Sequence, residues 1–162
     1  MPALELDVLD LRIAAVLQAD SSISNLDLAQ RVHASAPTCL RRVRKLKEAG
    51  LIEREIAVLD LSKLASMVTA VIEVSLDRQA AEDYDDFERY VCTEPAVTQC
   101  YRVSPGPDFI VIAELPDMRS YDEFARRLFT QASNVRNVRT FFSMRRAKFE
   151  SGPPIGTIVR PG

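Results

Sequence analysis

The order of strand-like and helix-like segments after residue 65 constrains the fold of this chain more than any other feature. β-branched residues crowd the stretches that are typical of strands, and apolar side chains recur at helical spacing in the stretches between them. In chain order the segments are "MVTAVIEVSL", "QAAEDYDDFERYVCTE", "AVTQCYRVS", "FIVIAEL", "DMRSYDEFARRLFTQAS" and "NVRTFFSMRRAKF". The turn "SPGPD" joins the second strand to the third. This βαββαβ order predicts a ferredoxin-like antiparallel sheet with helices on one face.

The first 50 residues show helical periodicity instead, in the three segments "LDVLDLRIAAVLQAD", "NLDLAQRVHAS" and "SAPTCLRRVRKLKEAG". The third helix is expected to begin at the N-cap Ser35 and to end at Gly50. Its leucines and valine are spaced by three, so we expect Leu40, Val43 and Leu46 to form its buried stripe. The stretch "EREIAVLDL" follows as an extended connection to the second domain.

Positive charge is concentrated on the third helix although the formal net charge of the chain is -2. No acid interrupts the run of bases Arg31, Arg41, Arg42, Arg44, Lys45 and Lys47. Two short helices joined by a short turn, the second of them basic, are typical of a helix-turn-helix. We expect the side chains that face away from the stripe, together with the N-terminus of the helix, to meet phosphates and base edges. The DNA-contact candidates are Ser35, Thr38, Arg41, Arg42 and Lys45. The alternative is a solvated amphipathic helix without a partner, which the preceding turn and the absence of acids disfavour.

Other functional classes find little support. No apolar run approaches the length of a membrane span, and the acidic start "MPALELDVLDLR" lacks the pattern of a secretory signal. The three cysteines have no paired spacing, which argues against a disulfide framework or a zinc site and favours a reducing cytoplasm. His33 is the only histidine and has no nucleophile or base nearby. We therefore predict no catalytic residue, no metal site and no cofactor.

About residues 5–150 resemble the leucine-responsive regulator/AsnC (feast/famine) family of transcription factors. The residues that carry the resemblance are Leu9, Asp10, Ile13, Leu17, Ile23, Ser24, Leu28, Ala29, Ser35, Thr38, Cys39, Leu40, Arg42, Val43, Leu46, Gly50 and Ile52, followed by "CYRV" and the pair Asp108-Phe109. The resemblance implies an α+β chain with a winged helix-turn-helix domain and a ferredoxin-like RAM domain. It also implies a homodimer formed through the C-terminal sheets, assembly into larger discs that are often octamers, and control by an amino acid.

These inferences divide the chain into four parts. We expect a DNA-binding domain at residues 1–52, an extended linker at 53–65, an effector-binding and oligomerisation domain at 66–149, and a tail at 150–162. The tail "ESGPPIGTIVRPG" is rich in glycine and proline, so little regular structure is expected there beyond a short extended piece at "TIV".

The sheet domain itself favours association. Helices on one face leave the other face to be covered, and we expect a second copy to cover it through a two-fold contact at Val71, Cys100, Ile110 or their alternate neighbours. A two-fold dimer presents two recognition helices, which predicts a pseudo-palindromic operator in double-stranded DNA.

An effector site is implied at the turn before the third strand, where the family usually has Gly-x-x-Asp-aromatic. The residues implied are Ser104, Gly106, Asp108 and Phe109, with Thr140 from a neighbouring copy. Asp108 would accept a hydrogen bond from the ammonium group of the ligand. The usual glycine falls at Pro105 here, and two prolines remove backbone donors. A rigid turn that only joins two strands therefore stays open as the alternative.

Two other functions compete with transcriptional regulation. Haem- or sirohaem-processing enzymes have a similar architecture but need histidine in the sheet domain, and no histidine follows His33. An amino-acid sensor that acts by protein contact alone would not need the basic helix. We therefore predict a DNA-binding regulator that is not an enzyme and that responds to an amino acid or a related metabolite.

Overall fold

The computed structural model describes residues 5–130 and 134–158. The chain forms two compact units, Met1–Val58 together with Lys148–Gly162, and Leu59–Ala147. Their helices and strands are α1 (Val8–Ala19), α2 (Asn25–Val32), α3 (Ala36–Glu48), β1 (Val68–Leu76), α4 (Ala81–Val91), β2 (Val97–Arg102), β3 (Phe109–Leu115), α5 (Met118–Ala125), β4 (Val135–Phe142) and α6 (Ile155–Ile158). Within the described residues, no helix is both long and apolar enough to cross a membrane.

Helices α1, α2 and α3 of the first unit begin at capping side chains. The Asp7 carboxylate accepts the Asp10 N–H at 2.9 Å, and the Asp10 carboxylate accepts the Asp7 N–H at 3.3 Å, which forms a reciprocal capping box on α1. Ser24 caps α2, and Ser35 caps α3 as predicted. His33 ends α2 in the left-handed conformation with φ 56°, and this tight exit allows α3 to follow after a short turn.

The buried stripe of α3 differs from the predicted one. Cys39 and Leu46 are fully buried and Val43 packs beside them, whereas Leu40 is 45 % exposed. Residues 39, 43 and 46 recur at helical spacing on one face, and Leu40 lies about 100° further around the helix. The prediction of Leu40 as a stripe residue was wrong, because the smaller Cys39 occupies that position. The stripe packs against buried residues of the other two helices, namely Ile13, Ala14, Leu28, Ala29 and Val32.

The second unit is the predicted ferredoxin-like fold. Its four antiparallel strands lie in the order β2-β3-β1-β4. Alternate residues of the two central strands are buried, as expected for a sheet covered on one face. They pack with helix residues into a single core that contains Ala70, Ile72, Val74, Leu76, Phe87, Val91, Phe109, Val111, Ala113, Leu115, Phe124, Leu128 and Phe129.

The opposite face of the sheet carries the intervening residues. Val71 pairs with Ile112 across the central strands, and Tyr101 pairs with Ile110 on the neighbouring strand. Val71, Ile110 and Ile112 are half-buried, and Tyr101 is exposed. Cys100 pairs with Val111 and packs on the helix-covered side, so its predicted place on the open face was wrong.

The linker and the tail lie outside the two predicted domains. Residues 53–60 of the expected extended linker contain neither helix nor strand and have no sheet partner among the described residues, and Leu61–Lys63 forms one turn of 3-10 helix. In the tail, Ile155–Ile158 forms a short helix, so the extended piece expected at "TIV" was wrong at Thr157 and Ile158; Val159 lies outside the described residues. The Thr157 N–H and hydroxyl both donate to the Pro154 carbonyl, at 2.9 and 2.7 Å, which closes this turn.

Candidate nucleic-acid interface and effector groove

The basic charges of α3 divide into those that have an acidic partner and those that do not. Arg42 Nη1 lies 2.6 Å from Asp7 Oδ2 and 3.0 Å from Asp10 Oδ1. Lys45 Nζ lies 2.9 Å from Asp10 Oδ2. We call these four residues, Asp7, Asp10, Arg42 and Lys45, the Asp10 cluster. It joins α3 to the N-terminus of α1, so two of the cations predicted to contact DNA are held by the fold of the domain.

Asp10 is the buried centre of this cluster, with 0 % of its side chain exposed. Burial alone would raise the pKa of its carboxyl group. The hydrogen bonds from Lys45, the Asp7 N–H and Arg42 outweigh that effect, so the pKa of Asp10 lies below its ordinary value. The hydrogen bonds to Asp10 and Asp7 raise the pKa of Arg42. Both carboxylates and the Arg42 guanidinium are therefore ionised at neutral pH.

Lys47 is the third paired cation. Its amine lies 2.8 Å from Glu55 Oε2, just beyond the helix-turn-helix. Both side chains are close to half exposed, so this pair contributes little to stability. It nevertheless reduces the positive charge that the end of α3 presents.

Arg41 and Arg44 are the remaining cations. Both are exposed, and neither side chain has a hydrogen bond or an ion pair within residues 5–130 and 134–158. They lie one turn apart on the side of α3 that faces away from Cys39, Val43 and Leu46. The predicted site lacks Arg44, because a stripe at Leu40, Val43 and Leu46 puts Arg44 next to the apolar residues rather than opposite them. The spacing Cys39-Val43-Leu46 would have revealed it.

The N-terminal end of α3 carries the other two predicted DNA contacts. The Ser35 hydroxyl accepts the Thr38 N–H at 3.3 Å, and the two hydroxyl oxygens are 2.8 Å apart. Ser35 is exposed and Thr38 is half-buried. Thr38, Arg41 and Arg44 thus follow one another at three-residue spacing along the helix, and Ser35 caps its N-terminus. We call Thr38, Arg41 and Arg44 the outward face of α3.

The predicted effector loop forms one wall of an open groove. The groove is lined by Gln79, Tyr84, Arg102, Val103, Ser104, Pro105, Gly106, Pro107 and Asp108. Gly106 has φ 130°, a conformation that residues with a side chain rarely adopt, and no atom lies within 4 Å of the place where a Cβ would be. Backbone conformation, rather than lack of space, therefore requires glycine in this loop.

Asp108 lies at the base of this groove with most of its side chain buried. Its carboxylate accepts the Leu76 N–H at 2.7 Å, the Tyr84 hydroxyl at 3.0 Å and the Gln79 amide at 3.0 Å. These donors come from the end of β1, the following loop and α4, so Asp108 connects three elements. Burial and the nearby Asp108 carboxylate raise the pKa of Tyr84, which keeps its hydroxyl protonated as a donor.

The other two predicted effector residues are placed apart from the loop backbone. Phe109 is fully buried, and its ring centroid lies 4.7 Å from that of Phe87, so it is a core residue. Thr140 is on β4, where its hydroxyl lies 2.6 Å from the Tyr121 hydroxyl. It borders a second groove beside Tyr121, Ala125 and Val138. A single chain therefore does not bring Thr140 to the Ser104–Asp108 loop.

Metal-ligating residues form no cluster in the part of the chain that the structure describes. No group of three histidines, cysteines or acids there could hold a metal ion. His33 is exposed at the end of α2. Cys39 is buried, and burial raises the pKa of the half-buried Cys100 to about 12, so the Cys100 thiol stays protonated.

Both units match protein families that are found in transcriptional regulators. Residues 6–53 match the family described as winged helix-turn-helix DNA-binding, and residues 69–153 match the Lrp/AsnC ligand binding domain. The leucine-responsive regulatory protein of Rhizobium meliloti is 38% identical over 144 residues, which cover 89% of this chain and 92% of that protein.

Two solved structures are similar over nearly the whole chain. An AsnC family transcriptional regulator from Agrobacterium tumefaciens has 31% sequence identity and a TM-score of 0.87, and the match covers 95% of this chain and 100% of that one. A transcriptional regulator from Neisseria meningitidis, solved as a complex with L-Met, has 27% identity and a TM-score of 0.87 over 96% of this chain and 100% of that one.

Proposed function

Because the chain belongs to the Lrp/AsnC family of helix-turn-helix transcriptional regulators, we propose that it reads DNA mainly through Arg41 and Arg44. The observation that carries the proposal is the distribution of partners on α3. Arg42 and Lys45 are held by Asp10, whereas Arg41 and Arg44 are exposed without an acidic partner among the described residues.

The geometry of the outward face suits a major groove. Arg41 and Arg44 are three residues apart, so their Cα atoms are separated by about 4.5 Å along the helix axis. Each guanidinium can bind a guanine bidentately or pair with a phosphate. Thr38 stands one turn before Arg41, and the N-terminus of α3 beside Ser35 can approach a phosphate. Arg42 serves as a support that fixes α3 on α1, and Lys45 reaches DNA only by leaving Asp10.

Substitution of the two arginines tests this assignment. Arg41→Ala and Arg44→Ala should each weaken binding to a selected operator by about 1–3 kcal/mol per half-site if the side chain reads a base. If both contact phosphates, the double variant of a dimer should lose about 2–4 units from the slope of log K against log salt. Arg12→Ala is the matched control, because Arg12 is an exposed arginine on α1. An Arg41→Ala/Arg44→Ala protein that folds and binds like the control would refute the assignment.

The proposal includes a homodimer formed on the open face of the sheet. Val71, Ile110 and Ile112 form an apolar strip there, and the exposed rings of Tyr101 and Phe141 lie beside it. A second copy would cover this strip through a two-fold contact, and the two recognition helices would then meet a pseudo-palindromic operator. We further propose that four such dimers associate into an octamer.

Light scattering distinguishes the assemblies by mass. Ile112→Glu should reduce the mass to that of one chain, because it places a charge in the centre of the strip. Tyr90→Glu is the control, since Tyr90 is an exposed aromatic residue on α4 and not on the open face. If the wild-type protein is a monomer at micromolar concentration, the dimer is excluded.

We also propose that an amino acid or a related small metabolite binds at the Ser104–Asp108 loop. The match of residues 69–153 to a ligand binding domain and the L-Met complex of the Neisseria meningitidis regulator support this. The Asp108 carboxylate already accepts three donors, so the Ser104 hydroxyl and the Gly106 N–H are the better candidates for ligand contact. Thr140 would contribute from a neighbouring copy.

Calorimetric titration with the twenty amino acids at millimolar concentration tests the effector. A binding amino acid should bind more weakly to Ser104→Ala, while Ser62→Ala, which removes an exposed hydroxyl in a connecting turn, should leave its affinity unchanged. No binding by any of the twenty would favour the rigid turn that only joins two strands.

In the proposed role the chain acts in the cytoplasm and is not an enzyme. The competing haem or sirohaem enzyme needs histidine in the sheet unit, and the single histidine, His33, lies at the end of α2. Incubation with haem should produce no shifted Soret band. A shifted Soret band at one haem per chain would instead support the enzyme hypothesis.

A further inference from the structure

We propose that the C-terminal segment Pro153–Ile158, which we call the docking segment, binds the side of α1 at Gln18. This contact gives the DNA-binding unit a second anchored connection to the rest of the chain, in addition to the linker at residues 53–60. This inference rests on the proposed DNA binding by a dimer. It concerns residues that the interface on α3 and the loop at Ser104–Asp108 do not use. The consequence is that the docking segment restricts how far apart, and in which orientation, two recognition helices can lie.

The contact is formed by the two ends of one side-chain amide. Gln18 Nε2 donates to the Pro153 carbonyl at 2.9 Å, and Gln18 Oε1 accepts the Ile155 N–H at 3.1 Å. The primary amide of Gln18 binds a carbonyl and an N–H two residues apart, so it recognises the backbone of the docking segment and fixes which residues of the segment face Gln18. Gln18 is separated from these partners by 135 and 137 residues in sequence.

Apolar contact accompanies the hydrogen bonds. Ile155 is partly buried against the core of the DNA-binding unit, the same core on which Val16 and Leu17 of α1 pack. Pro153 and Pro154 restrict the backbone before docking, which lowers the entropy that the segment loses when it binds. Hydrogen bonds, an apolar anchor and a preorganised backbone together describe a specific contact.

The path of the chain gives this contact its importance. The DNA-binding unit contains Met1–Val58 and Lys148–Gly162, and the sheet unit contains Leu59–Ala147, so the chain passes between the units twice. The first passage follows residues 53–60, which have neither helix nor strand. A unit held by one such connection can rotate freely, whereas a second connection that is anchored at Gln18 removes many of these orientations.

Docking and operator spacing should therefore be coupled. In a dimer the separation of the two recognition helices sets the preferred distance between half-sites. If docking favours one separation, DNA with that spacing favours docking by the same factor, because linkage is reciprocal. Release of the docking segment should leave each half-site contact intact and broaden the accepted spacings.

The experiment uses the full chain and a set of DNA duplexes. Two copies of a selected half-site are placed at the selected spacing and at spacings that differ by one to three base pairs. Gln18→Leu removes both hydrogen bonds while retaining a helix-forming side chain, and a chain that ends at Phe149 removes the docking segment. A chain that ends at Ile158 is the matched control, because it keeps Pro153–Ile158 and lacks only the last four residues.

The expected result is a change in preference with little change in half-site affinity. Wild type and control should bind DNA with the selected spacing more tightly than DNA with a wrong spacing. In both test variants this affinity ratio should fall at least about fivefold, the low end of a typical coupling between sites. Binding to a single half-site should stay within about twofold. If Gln18→Leu folds and keeps the wild-type spacing profile, the proposal is overturned, whether or not the truncated chain folds.

Hydrogen exchange separates this proposal from the DNA-binding function on which it rests. In the wild-type protein the Ile155 N–H should be protected by Gln18, and Gln18→Leu should remove that protection. An unprotected Ile155 in the wild type overturns the docking contact itself. A protected Ile155 in a protein that binds no DNA would instead overturn the proposed function and leave the contact without its inferred consequence.

Discussion

Removal of the Asp10 carboxylate should destabilise the DNA-binding unit more than any other loss of a single charge there. Asp10 is fully buried, and it accepts hydrogen bonds from Arg42 at 3.0 Å and from Lys45 at 2.9 Å. In Asp10→Ala both cations lose this partner, and α3 loses its polar connection to α1. Breaking a buried ion pair from one side commonly costs about 3–5 kcal/mol, because a charge is left without compensation.

The exposure of the two cations places this substitution at the lower end of that range. The side chains of Arg42 and Lys45 are 20% and 42% exposed, so Lys45 can return to water. Arg42 retains Asp7 at 2.6 Å, although its buried Nε already has no hydrogen-bond partner among the described residues. We therefore expect a loss of about 3 kcal/mol in the free energy of unfolding for Asp10→Ala. Asp10→Asn should lose less, since the amide oxygen can still accept one of the two bonds.

Urea denaturation followed by two probes locates the effect. All four tyrosines lie in the sheet unit, so tyrosine fluorescence reports the unfolding of that unit, while far-UV circular dichroism reports both units. Asp10→Ala should shift the dichroism transition and leave the fluorescence transition in place. Asp20→Asn is the control, because it removes an exposed carboxylate from the other end of α1. A loss below about 1 kcal/mol, or one that the control matches, would refute the argument from burial.

The dependence on pH follows from the lowered pKa of Asp10. A carboxyl group whose pKa is lower in the folded state adds stability above its unfolded value, which is ordinarily 3.8, and this stability is lost as the pH falls through the folded value. The difference between wild type and Asp10→Ala should therefore be constant from about pH 5 upward and should shrink below pH 3.8. A difference that changes between pH 6 and pH 8 would point to another group.

Two further predictions concern stripe and loop residues. Leu46→Ala should lower the free energy of unfolding in urea by about 2–5 kcal/mol because Leu46 is fully buried. Leu40→Ala should lower it by less than about 1 kcal/mol because Leu40 is exposed. Equal losses would support the buried stripe predicted from the sequence. Asp108→Ala should lower the stability of the sheet unit by about 2–3 kcal/mol, measured by tyrosine fluorescence, because three donors lose their acceptor. Asp77→Ala, which removes an exposed acid just after β1, should have a small effect. An Asp108→Ala protein as stable as wild type would return Asp108 to the role of a ligand contact.

The architecture was predictable because it depends on short-range patterns. The alternation in β1 and β3 and the helical spacing of Tyr84, Phe87 and Val91 are visible in any short window of the sequence. The caps at Ser24 and Ser35 are local as well. Once the order βαββαβ is read, few topologies remain, and the observed strand order β2-β3-β1-β4 is the ferredoxin-like one.

The details of the sites depend on contacts between distant parts of the chain. The carboxylate that holds Arg42 and Lys45 belongs to Asp10, which is 32 and 35 residues away, and a count of charges on α3 cannot reveal it. Leucine is more apolar than cysteine on most scales, so the sequence favoured Leu40 over Cys39 at the buried position. The docking of Pro153 on Gln18 spans 135 residues, and proline-rich composition alone suggested an unstructured tail.

The positive charge of α3 therefore divides into a paired group and an exposed group within one helix. Between residues 41 and 47 there are five cations, and Asp7, Asp10 and Glu55 occupy three of them. Pairing at Arg42 and Lys45 fixes the rotation of α3 about its own axis, because both bonds lead to the same buried carboxylate. That rotation in turn directs Arg41 and Arg44 outward. Under the proposal that Arg41 and Arg44 contact DNA, a chain with a net charge of -2 needs no large basic surface, since two outward arginines per half-site would meet bases and phosphates while Arg42 and Lys45 hold α3 in place.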